Sequence, residues 1–246
     1  MRKIGINCDM GEAFGIYRFG NDEACMPYVT HVNIACGFHA SDPVVMWDTV
    51  QAAKRHRVKI GAHPGLPDRE GFGRREMKIT RREATAMTLY QTGALKSFLE
   101  AEGLEIDYIK PHGSLFGMAQ KQEDIAEGIA DAAEALGLPV IAYSNCCMSE
   151  VFTRRGIAFT CEFYADLQYT ADGRQIITRS HGAFDVSRLA DKIRRAVLDG
   201  KTTAIEGTEI DVVADTICVH SDGATALDVA RTVHETLREL NMLEEV

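Results

Sequence analysis

The sequence has no stretch that would cross or anchor in a membrane. No apolar run approaches the roughly 20 residues that a membrane-spanning helix needs. The segment MRKIGINCDMGE reaches an acidic residue, Asp9, before an apolar segment of signal-peptide length has formed. From the sequence we therefore expect a cytoplasmic chain that has no membrane partner.

The sequence also lacks a disulfide framework and a Cys-rich zinc motif. Its seven Cys are an odd number, no CxxC pair occurs, and the adjacent Cys146 and Cys147 cannot easily bridge each other. Reduced thiols in a reducing compartment fit this pattern best. The formal net charge of -9 argues against nucleic acid as a partner, since phosphate contacts need basic patches.

Motifs that would identify an enzyme class directly are absent. There is no GxxxxGK(S/T) phosphate loop, no GxSxG nucleophile elbow and no HExxH zinc helix. The Gly71-Phe72-Gly73 segment lacks the third glycine of a dinucleotide fingerprint and does not directly follow a predicted strand. These absences argue against an autonomous P-loop ATPase, a Rossmann dehydrogenase and a serine hydrolase.

The chain does contain short β-branched apolar runs that alternate with amphipathic segments. The predicted strands cover residues 3–8, 31–36, 58–62, 108–110, 139–143, 158–163 and 216–219. One predicted helix runs from a cap at Ser41 or Asp42 to about residue 55, and another from a Thr80–Glu83 capping box to about residue 101. Further helices are predicted over residues 123–136, 185–198 and 224–240.

This alternation predicts an α/β domain with a parallel sheet and its helices outside. The chain has 246 residues, 46% of them hydrophobic, and shows neither a repeat nor a linker, which favours a single domain over residues 1–246. The periodicity leaves two architectures open: a (β/α) barrel with seven strands, and an open doubly wound sheet.

Polar residues collect just past the ends of the predicted strands. Four of the eight His, namely His39, His63, His112 and His220, follow different strands, and Asp9 follows the first strand. In a parallel α/β fold these strand ends face one side, where active sites are built. A single His there would fit a structural hydrogen bond, but the whole set predicts a polar active-site ring.

The other His fit plainer roles. His31 begins a predicted strand, and His56 and His234 lie on charged helices. His181 follows Ser180 in a predicted loop, where it fits a structural or a functional role.

The ring has the residue types of a metal site. Neutral imidazoles and a carboxylate can hold a divalent metal that activates water and polarises a carbonyl. The candidate ligands are Asp9, His39, His63 and His112. Because these ligands are scattered along the chain, a metal-free site that orients a polar substrate by hydrogen bonds remains the alternative.

Acids and a lysine in the same positions are candidates for catalysis. Glu12, Asp166 and Asp222 fit general acids or bases, or else helix caps and solvated charges, and Asp222 before Gly223 suits a cap. Lys110 ends an apolar strand, where its ammonium would stabilise an anion or form a buried ion pair. We expect Lys110→Met to lower activity about a hundredfold with little change in thermal stability.

The Gly- and Pro-rich segment 61–74 ends in Arg74, which Arg75 follows. This composition predicts either a flexible lid that offers Arg74 to a carboxylate or phosphate, or a plain surface loop.

Six segments occur in a characteristic order along the chain. They are NCDMGEAFG (7–15), NIACGFHASDP (33–43), IGAHPGLPDREGFGRR (60–75), KPHGSLF (110–116), EFYADLQYTADG (162–173) and CVHSDG (218–223). As a set, over nearly the whole chain, they resemble the LamB/YcsF lactam-utilisation family. The matching polar positions are Asp9, Glu12, Asn33, His39, His63, Lys110 and His112.

The resemblance implies a seven-stranded (β/α) barrel-like fold related to the glycoside hydrolase/deacetylase fold. It also implies ATP-dependent cleavage of 5-oxoproline to glutamate, with ATP shared with two partner subunits, and it leaves a homo-oligomer open. The resemblance and the strand-end positions together give the candidates for catalysis. They are Asp9, Glu12, Lys110, His112 and Asp166. The substrate-binding candidates are Asn33, His39, His63, Arg74, Glu162, His220 and Asp222.

Two positions depart from the family pattern. Leu167 stands where an Arg is usual, and a Leu cannot make a bidentate carboxylate contact. Ser221 replaces a usual Gly. Both differences leave open whether 5-oxoproline or a related lactam is the substrate.

Three functions follow as hypotheses. The first is a subunit of an ATP-dependent 5-oxoprolinase-type enzyme, in which phosphorylation of the stable amide oxygen would create a leaving group. The second is a metal-dependent amide hydrolase of the deacetylase kind that needs no ATP. The third is a non-catalytic metabolite-binding subunit. Assays with and without ATP, partners and metal would separate them.

Overall fold

Seven parallel strands form the centre of the molecule. The computed structural model describes residues 2–176 and 184–245, so His181 lies outside the described residues. The strands close into a barrel in the order β1-β2-β3-β4-β5-β6-β9. They are β1 (Gly5–Met10), β2 (His31–Ala35), β3 (Lys59–His63), β4 (Tyr108–Ile109), β5 (Val140–Ala142), β6 (Phe159–Tyr164) and β9 (Thr216–His220). The barrel prediction is confirmed, and the open doubly wound sheet is wrong.

Helices follow the strands and cover the barrel. They are α1 (Asp22–Cys25), α2 (Pro43–His56), α3 (Arg81–Ala101), α4 (Gly113–Ala119), α5 (Glu123–Leu136), α6 (Cys147–Arg155), α7 (Leu189–Arg194) and α8 (Ala226–Glu239). Asp42 caps α2 by accepting hydrogen bonds from the amides of Val44 and Val45. The predicted Thr80–Glu83 capping box begins α3, and Gly137 ends α5 in the left-handed conformation.

The first strand extends further than predicted, to Met10, so that Asp9 lies within the strand and not after it. The reason is that Asp9 pairs in register with Asn33 of β2 on one side and with His220 of β9 on the other. His63 and His220 are likewise the last residues of their strands. The ladder therefore fixes the backbone of these polar residues rigidly.

The predicted helix over residues 185–198 is wrong as a single element. A 3₁₀ turn (Val186–Arg188), α7 and a π-helical turn (Arg195–Asp199) share this segment, which ends at Gly200. The side chain of Asp185 accepts from the amide of Ser187 and so stabilises the tighter first turn.

The sequence did not predict several short elements. They are α1, α4, α6, the 3₁₀ turn Met26–Tyr28 and the antiparallel hairpin of β7 (Lys201–Thr203) and β8 (Glu209–Asp211). Helix α4 contains Gly113 and Gly117, and glycine has low helix propensity. In the described parts of the chain, no helix combines the length and apolarity needed to span a bilayer.

The interior of the barrel is polar. Asn7, Asn33, Lys110 and Glu162 are all at most 2% exposed although they come from different sides of the barrel. The apolar core lies outside the barrel, between strands and helices, where Ile6, Val32 and Ile217 contribute to one continuous cluster. A polar barrel interior has to be fully hydrogen-bonded, and the site described next supplies those partners.

Candidate active site with a buried histidine cluster

Three histidines and one glutamate meet at the carboxyl end of the barrel. His63 ends β3, His39 follows β2, His112 precedes α4 and Glu12 follows β1; all four are buried. The His39 and His112 rings stack with centroids 3.7 Å apart, and His63 meets His112 edge-on at 4.8 Å. Glu12 Oε1 lies 3.2 Å from His39 Nε2 and 3.6 Å from His112 Nδ1. We call these four residues the histidine cluster.

The hydrogen bonds of the cluster determine the tautomers of two rings. His63 Nδ1 lies 2.7 Å from the carbonyl of Lys110, and His112 Nε2 lies 2.8 Å from the carbonyl of Phe72. A carbonyl only accepts, so each of these nitrogens donates a proton. In neutral rings, His63 Nε2 and His112 Nδ1 then face each other as lone pairs at 2.9 Å. Such an arrangement needs a cation between or beside them, either a proton or a metal.

The pKa values of the cluster residues also indicate a site for a cation. Burial lowers the pKa of His39 and of His112 well below the ordinary value, assisted by the neighbouring imidazoles. Burial also raises the pKa of Glu12 well above its ordinary value, with Asp9 contributing in the same direction. These shifts favour neutral rings at His39 and His112 and a protonated carboxyl at Glu12. A divalent cation binds neutral imidazoles as they stand and favours the carboxylate form of Glu12.

The spacing of the donor atoms fits a divalent metal. Atoms that share one ion at bonds of about 2.1 Å lie roughly 3.0–3.4 Å apart. The His63–His112, His39–Glu12 and His112–Glu12 donor separations are 2.9, 3.2 and 3.6 Å. The donor atoms of all four residues lie within 4.8 Å of one another. Glu12 thus joins the three histidines that the sequence proposed as ligands, and the proposed ligand Asp9 lies 3.2 Å from His63 Nε2.

Asp9 instead joins the cluster to the polar barrel interior. Its Oδ2 lies 3.2 Å from His63 Nε2, and its Oδ1 accepts from Lys110 Nζ at 2.9 Å and from Asn33 Nδ2 at 2.8 Å. Burial alone would raise the pKa of Asp9, but His63 and Lys110 lower it well below its ordinary value. Asp9 is therefore ionised, and three neighbours fix its orientation.

Lys110 is the centre of a buried ion network. Its ammonium contacts Asp9 and, at 3.1 Å, Glu162 Oε2, and it donates to Asn7 Oδ1 at 3.0 Å. Cys218 Sγ lies 3.1 Å away. Burial would lower the pKa of Lys110, but Asp9 raises it well above its ordinary value. The ion-pair alternative is thus what the structure shows, and the expected small effect of Lys110→Met on thermal stability needs revision.

A carboxylate and an imidazole form a second pair across the site. His220 Nδ1 lies 3.0 Å from both oxygens of Asp166, and the His220 amide donates to Asp166 Oδ2 at 2.9 Å. Burial would lower the pKa of His220, but Asp166 raises it. His220 Nε2 points toward Asp9 Oδ2 at 3.8 Å. Asp166 therefore orients His220, and His220 lines the pocket.

Asp222 does not cap the last helix. Helix α8 begins at Ala226 after Thr225, and its first turn has no side-chain cap. Asp222 Oδ2 lies 3.6 Å from Arg74 Nη2, and both side chains are at most 5% exposed. The cap interpretation of Asp222 is wrong, because the chain turns away at residues 222–225 and brings this carboxylate to the mouth of the barrel.

The segment that follows β3 covers part of the histidine cluster with the backbone of two glycines, Gly65 and Gly73. A Cβ at Gly65 would lie 2.4 Å from His39 Nδ1, and a Cβ at Gly73 would lie 2.8 Å from both His39 and His112. Gly73 also has a φ of +64°, which favours glycine. We call residues 64–74 the glycine loop. It also brings Arg74 and Phe72 to the site, and Phe72 packs against His112 at 5.3 Å.

The pocket at this end of the barrel is nearly closed. It is lined by Asp9, His63, Arg74, Lys110, Pro111, His112, Gly113, Phe116, Tyr164, Leu167 and His220. The cavity volume is about 30 Å³, which is enough for a water molecule or two but not for a lactam.

The structure brings together most of the residues that the sequence proposed. Asp9, Glu12, Asn33, His39, His63, Lys110, His112, Glu162 and His220 form one connected network. Arg74 and Asp222 pair at its mouth, and Asp166 lies behind His220. The sequence missed Asn7 and Tyr108. The spacing of Asn7 two residues before Asp9 could have shown that both face the barrel interior.

The two departures from the family pattern both lie at the site. Leu167 is buried and lines the pocket. Ser221 Oγ lies 2.7 Å from Asp22 Oδ1 and 3.1 Å from the carbonyl of Asp9. Ser221 therefore connects the first loop to β1 beneath the site and does not face the substrate space.

A parallel barrel with a histidine–carboxylate cluster at its carboxyl end defines a class of (β/α)-barrel proteins. Comparison with known proteins identifies the family. The LamB/YcsF family matches residues 4–244. A 5-oxoprolinase subunit of Bacillus licheniformis is 42% identical over 242 residues, 97% of this chain and 96% of that protein. The lactam utilization protein lamB of Emericella nidulans is 39% identical over 244 residues, 98% and 96% of the two chains.

A solved structure has the same fold. The lactam utilization protein from Thermus thermophilus superposes with a TM-score of 0.89 and 37% identity, covering 98% of each chain. The chain belongs to the LamB/YcsF family.

Proposed function

We propose that this chain is the lactam-binding and lactam-opening subunit of an ATP-dependent 5-oxoprolinase-type enzyme. The substrate is 5-oxo-L-proline or a closely related lactam, and the product is L-glutamate or the corresponding open-chain amino acid. The names of the relatives support this function. The observation that carries it is the buried histidine cluster beside Asp9 and Lys110, open to a small polar pocket.

The pocket has groups for both parts of such a substrate. Arg74 provides a guanidinium for the carboxylate and lies 3.6 Å from Asp222 at the mouth of the pocket. Phe116 and Leu167 provide apolar surface for the ring methylenes. Because Leu167 lacks a charge, Arg74 is the cation that we assign to the substrate carboxylate.

The histidine cluster would hold the divalent metal, with Glu12, His39, His63 and His112 as its ligands. When bound, the metal supplies a Lewis acid that polarises the lactam carbonyl and lowers the pKa of water. The carbonyl of Lys110 orients His63 from the other side of the ring, because it accepts a hydrogen bond from Nδ1 at 2.7 Å. Lys110 keeps Asp9 ionised and provides positive potential beneath the developing oxyanion.

His220 is the residue placed to handle the proton of ring opening. In the proposed reaction ATP phosphorylates the lactam oxygen and leaves as ADP, water adds to the carbonyl carbon, and the carbon–nitrogen bond breaks as the ring nitrogen takes up a proton. A second water hydrolyses the acyl phosphate so formed to the carboxylate and inorganic phosphate. Asp166 holds the Nδ1 side of His220, so that Nε2 faces the pocket as a general acid. The raised pKa of His220, which results from Asp166, favours the protonated ring that this step requires.

ATP and the partner subunits are part of the proposal because the amide is stable and needs activation. An unstrained five-membered lactam resists attack, and phosphorylation of its oxygen would provide a leaving group. The sequence has no recognisable phosphate loop. We therefore assign much of the nucleotide site to two partner subunits, with this chain presenting the lactam to it.

The test is formation of the open-chain amino acid from 5-oxoproline by the purified chain, alone and with the two partner subunits, with and without ATP. We expect turnover only when ATP and partners are both present. Removal of metal with a chelator followed by re-addition should abolish and then restore it. Brisk turnover by the chain alone would refute the multi-subunit function.

A metal-dependent amide hydrolase that needs no ATP is the second candidate. It is favoured by the fit of the histidine cluster to a divalent metal. The same assay separates the two functions, because this candidate predicts metal-dependent hydrolysis of a cyclic or acetylated amide by the isolated chain.

A further inference from the structure

The loop after β6 is held by a lysine from outside the barrel. Lys192 of α7 donates to the carbonyls of Tyr164 at 3.2 Å, Ala165 at 2.8 Å and Leu167 at 2.7 Å. An ammonium has three N–H donors, so these three carbonyls satisfy all of them. We call residues 164–167 the β6 loop.

The other side of the β6 loop is anchored as well. The amide of Tyr164 donates to the hydroxyl of Tyr169 at 2.8 Å, and the amide of Ala165 donates to the carbonyl of Cys218 at 3.0 Å. Lys192 therefore supplies donors to the carbonyls of Ala165 and Leu167, and it shares the carbonyl of Tyr164 with the Tyr169 hydroxyl at 3.4 Å. Buried carbonyls without donors are costly, so loss of this side chain would destabilise the shape of the loop.

The surroundings of Lys192 are compatible with a positively charged side chain at neutral pH. Its ammonium lies 5.3 Å from the ring centroid of Phe163, 5.5 Å from Tyr169 and 5.7 Å from Phe184. Burial lowers the pKa of Lys192 to about 8, and Asp166 partly opposes this effect. The ammonium is therefore the prevailing form near pH 7.

The β6 loop carries three residues of the site. Asp166 accepts hydrogen bonds from the ring nitrogen and from the backbone amide of His220, and Tyr164 and Leu167 line the pocket. A shift of the loop would move all three, and a displacement of about 1 Å can cost about a hundredfold in rate.

We propose that Lys192 is a positioning residue of the active site, which fixes the β6 loop and through Asp166 sets the direction of His220. This inference rests on the function proposed above. Lys192 does not itself line the pocket, and its described contacts do not include the histidine cluster, so its effect on turnover passes through the β6 loop.

The test compares Lys192→Met with Lys59→Met. The control removes another lysine ammonium, which pairs with Glu244 at 2.6 Å at the opposite end of the barrel. Both variants are assayed in the complete complex, below the temperature at which either begins to unfold. We expect Lys192→Met to lower kcat about 10–100-fold with a smaller change in KM, and Lys59→Met to leave both near the wild-type values.

A second measurement does not need turnover. Deuterium exchange at the His220 amide, which donates to Asp166, should be faster in Lys192→Met than in Lys59→Met. Faster exchange in a chain that opens no lactam would support the positioning role while refuting the proposed function. If kcat and exchange in Lys192→Met both match Lys59→Met, the positioning role is wrong. Should Lys192→Met not fold, Lys192→Arg, whose planar fork cannot reproduce the three contacts, should show the same change in exchange.

Discussion

The two ends of the barrel contain similar residues in very different arrangements. The amino end has the larger cavity, about 280 Å³, lined among others by His31, Lys59, Asp107, Asp215 and Glu244. Yet these polar groups have local partners. Lys59 pairs with Glu244, Asp107 accepts from the amide of Ile60, and His31 Nδ1 lies 2.7 Å from Thr30 Oγ1. Among the described residues, nothing at this end requires an added ion.

The carboxyl end has a much smaller cavity, but it contains an imidazole nitrogen that lacks a hydrogen-bond partner among the described residues. His63 Nε2 and His112 Nδ1 face each other at 2.9 Å, and no described group hydrogen-bonds to His39 Nδ1. The comparison teaches that the chemistry of a site is better located by polar atoms in need of a partner than by the size of a cavity. Substitutions at the two ends of the barrel test this contrast.

Substitution in the histidine cluster should have the largest effect. His63→Gln keeps a polar side chain but removes the imidazole that faces His112 and Asp9. We expect loss of stoichiometric metal, measured by elemental analysis of the purified chain, and a fall in activity of the complete complex of about 10²–10³-fold. His31→Gln, at the amino end, is the matched control and should retain both. A metal-free wild-type chain with full activity in the complex would contradict the metal assignment.

Lys110→Met should have the next largest effect, and on two quantities. It leaves the carboxylates of Asp9 and Glu162 buried without their cation. We expect activity to fall about a hundredfold and the free energy of unfolding to fall by about 3–5 kcal/mol. Urea unfolding of the chain measures the second change.

The control for this prediction is Lys59→Met, whose ion pair with Glu244 is partly exposed. Surface pairs contribute about 0–1 kcal/mol, so this variant should unfold nearly as the wild type does. Equal stability losses in the two variants would show that the polar interior is not energetically special.

The smallest effect concerns pH and the amino end alone. Burial lowers the pKa of His31 to about 4, Lys59 adds to this, and Glu244 opposes it. In the unfolded chain the ordinary value of about 6.5 applies. Below pH 6.5 the unfolded chain binds a proton that the folded chain does not, so stability is complete above pH 6.5 and falls as pH falls toward 4.

Between pH 7 and pH 5 this single group should cost about 2 kcal/mol of unfolding free energy. His31→Gln should therefore reduce the loss of stability over that interval, as measured by urea unfolding at both pH values. An unchanged pH dependence in His31→Gln would show that His31 titrates normally in the folded chain.

The sequence allowed the parallel α/β class and most members of the site to be predicted because both depend on local patterns, whereas the barrel was implied by the resemblance to the LamB/YcsF family. Strand and helix alternation indicated seven parallel strands, and the polar residues at the strand ends followed from the direction of those strands. Asp42, the Thr80–Glu83 box and Gly137 were visible as caps because capping is decided within a few residues.

The pairings within the site could not be predicted, because they depend on distances across the barrel. Glu12 reaches His39, whereas Asp9 lies between His63 and Lys110, and both arrangements depend on residues that are distant in the sequence. The tautomers of His63 and His112 are decided by two carbonyls, at Lys110 and Phe72, whose positions no local pattern specifies. The role of Lys192 likewise depends on where α7 packs.

The glycine loop restricts how this site can change its substrate during evolution. At positions 65 and 73 a side chain of any kind would enter the space of the imidazoles, so that wall of the pocket tolerates no gradual variation. Phe116 and Leu167, by contrast, line the pocket with apolar side chains that are not among the described ring contacts of the histidine cluster. New specificities for other cyclic amides should therefore arise at positions 116 and 167, and a library that randomises these two positions is the economical way to search for them.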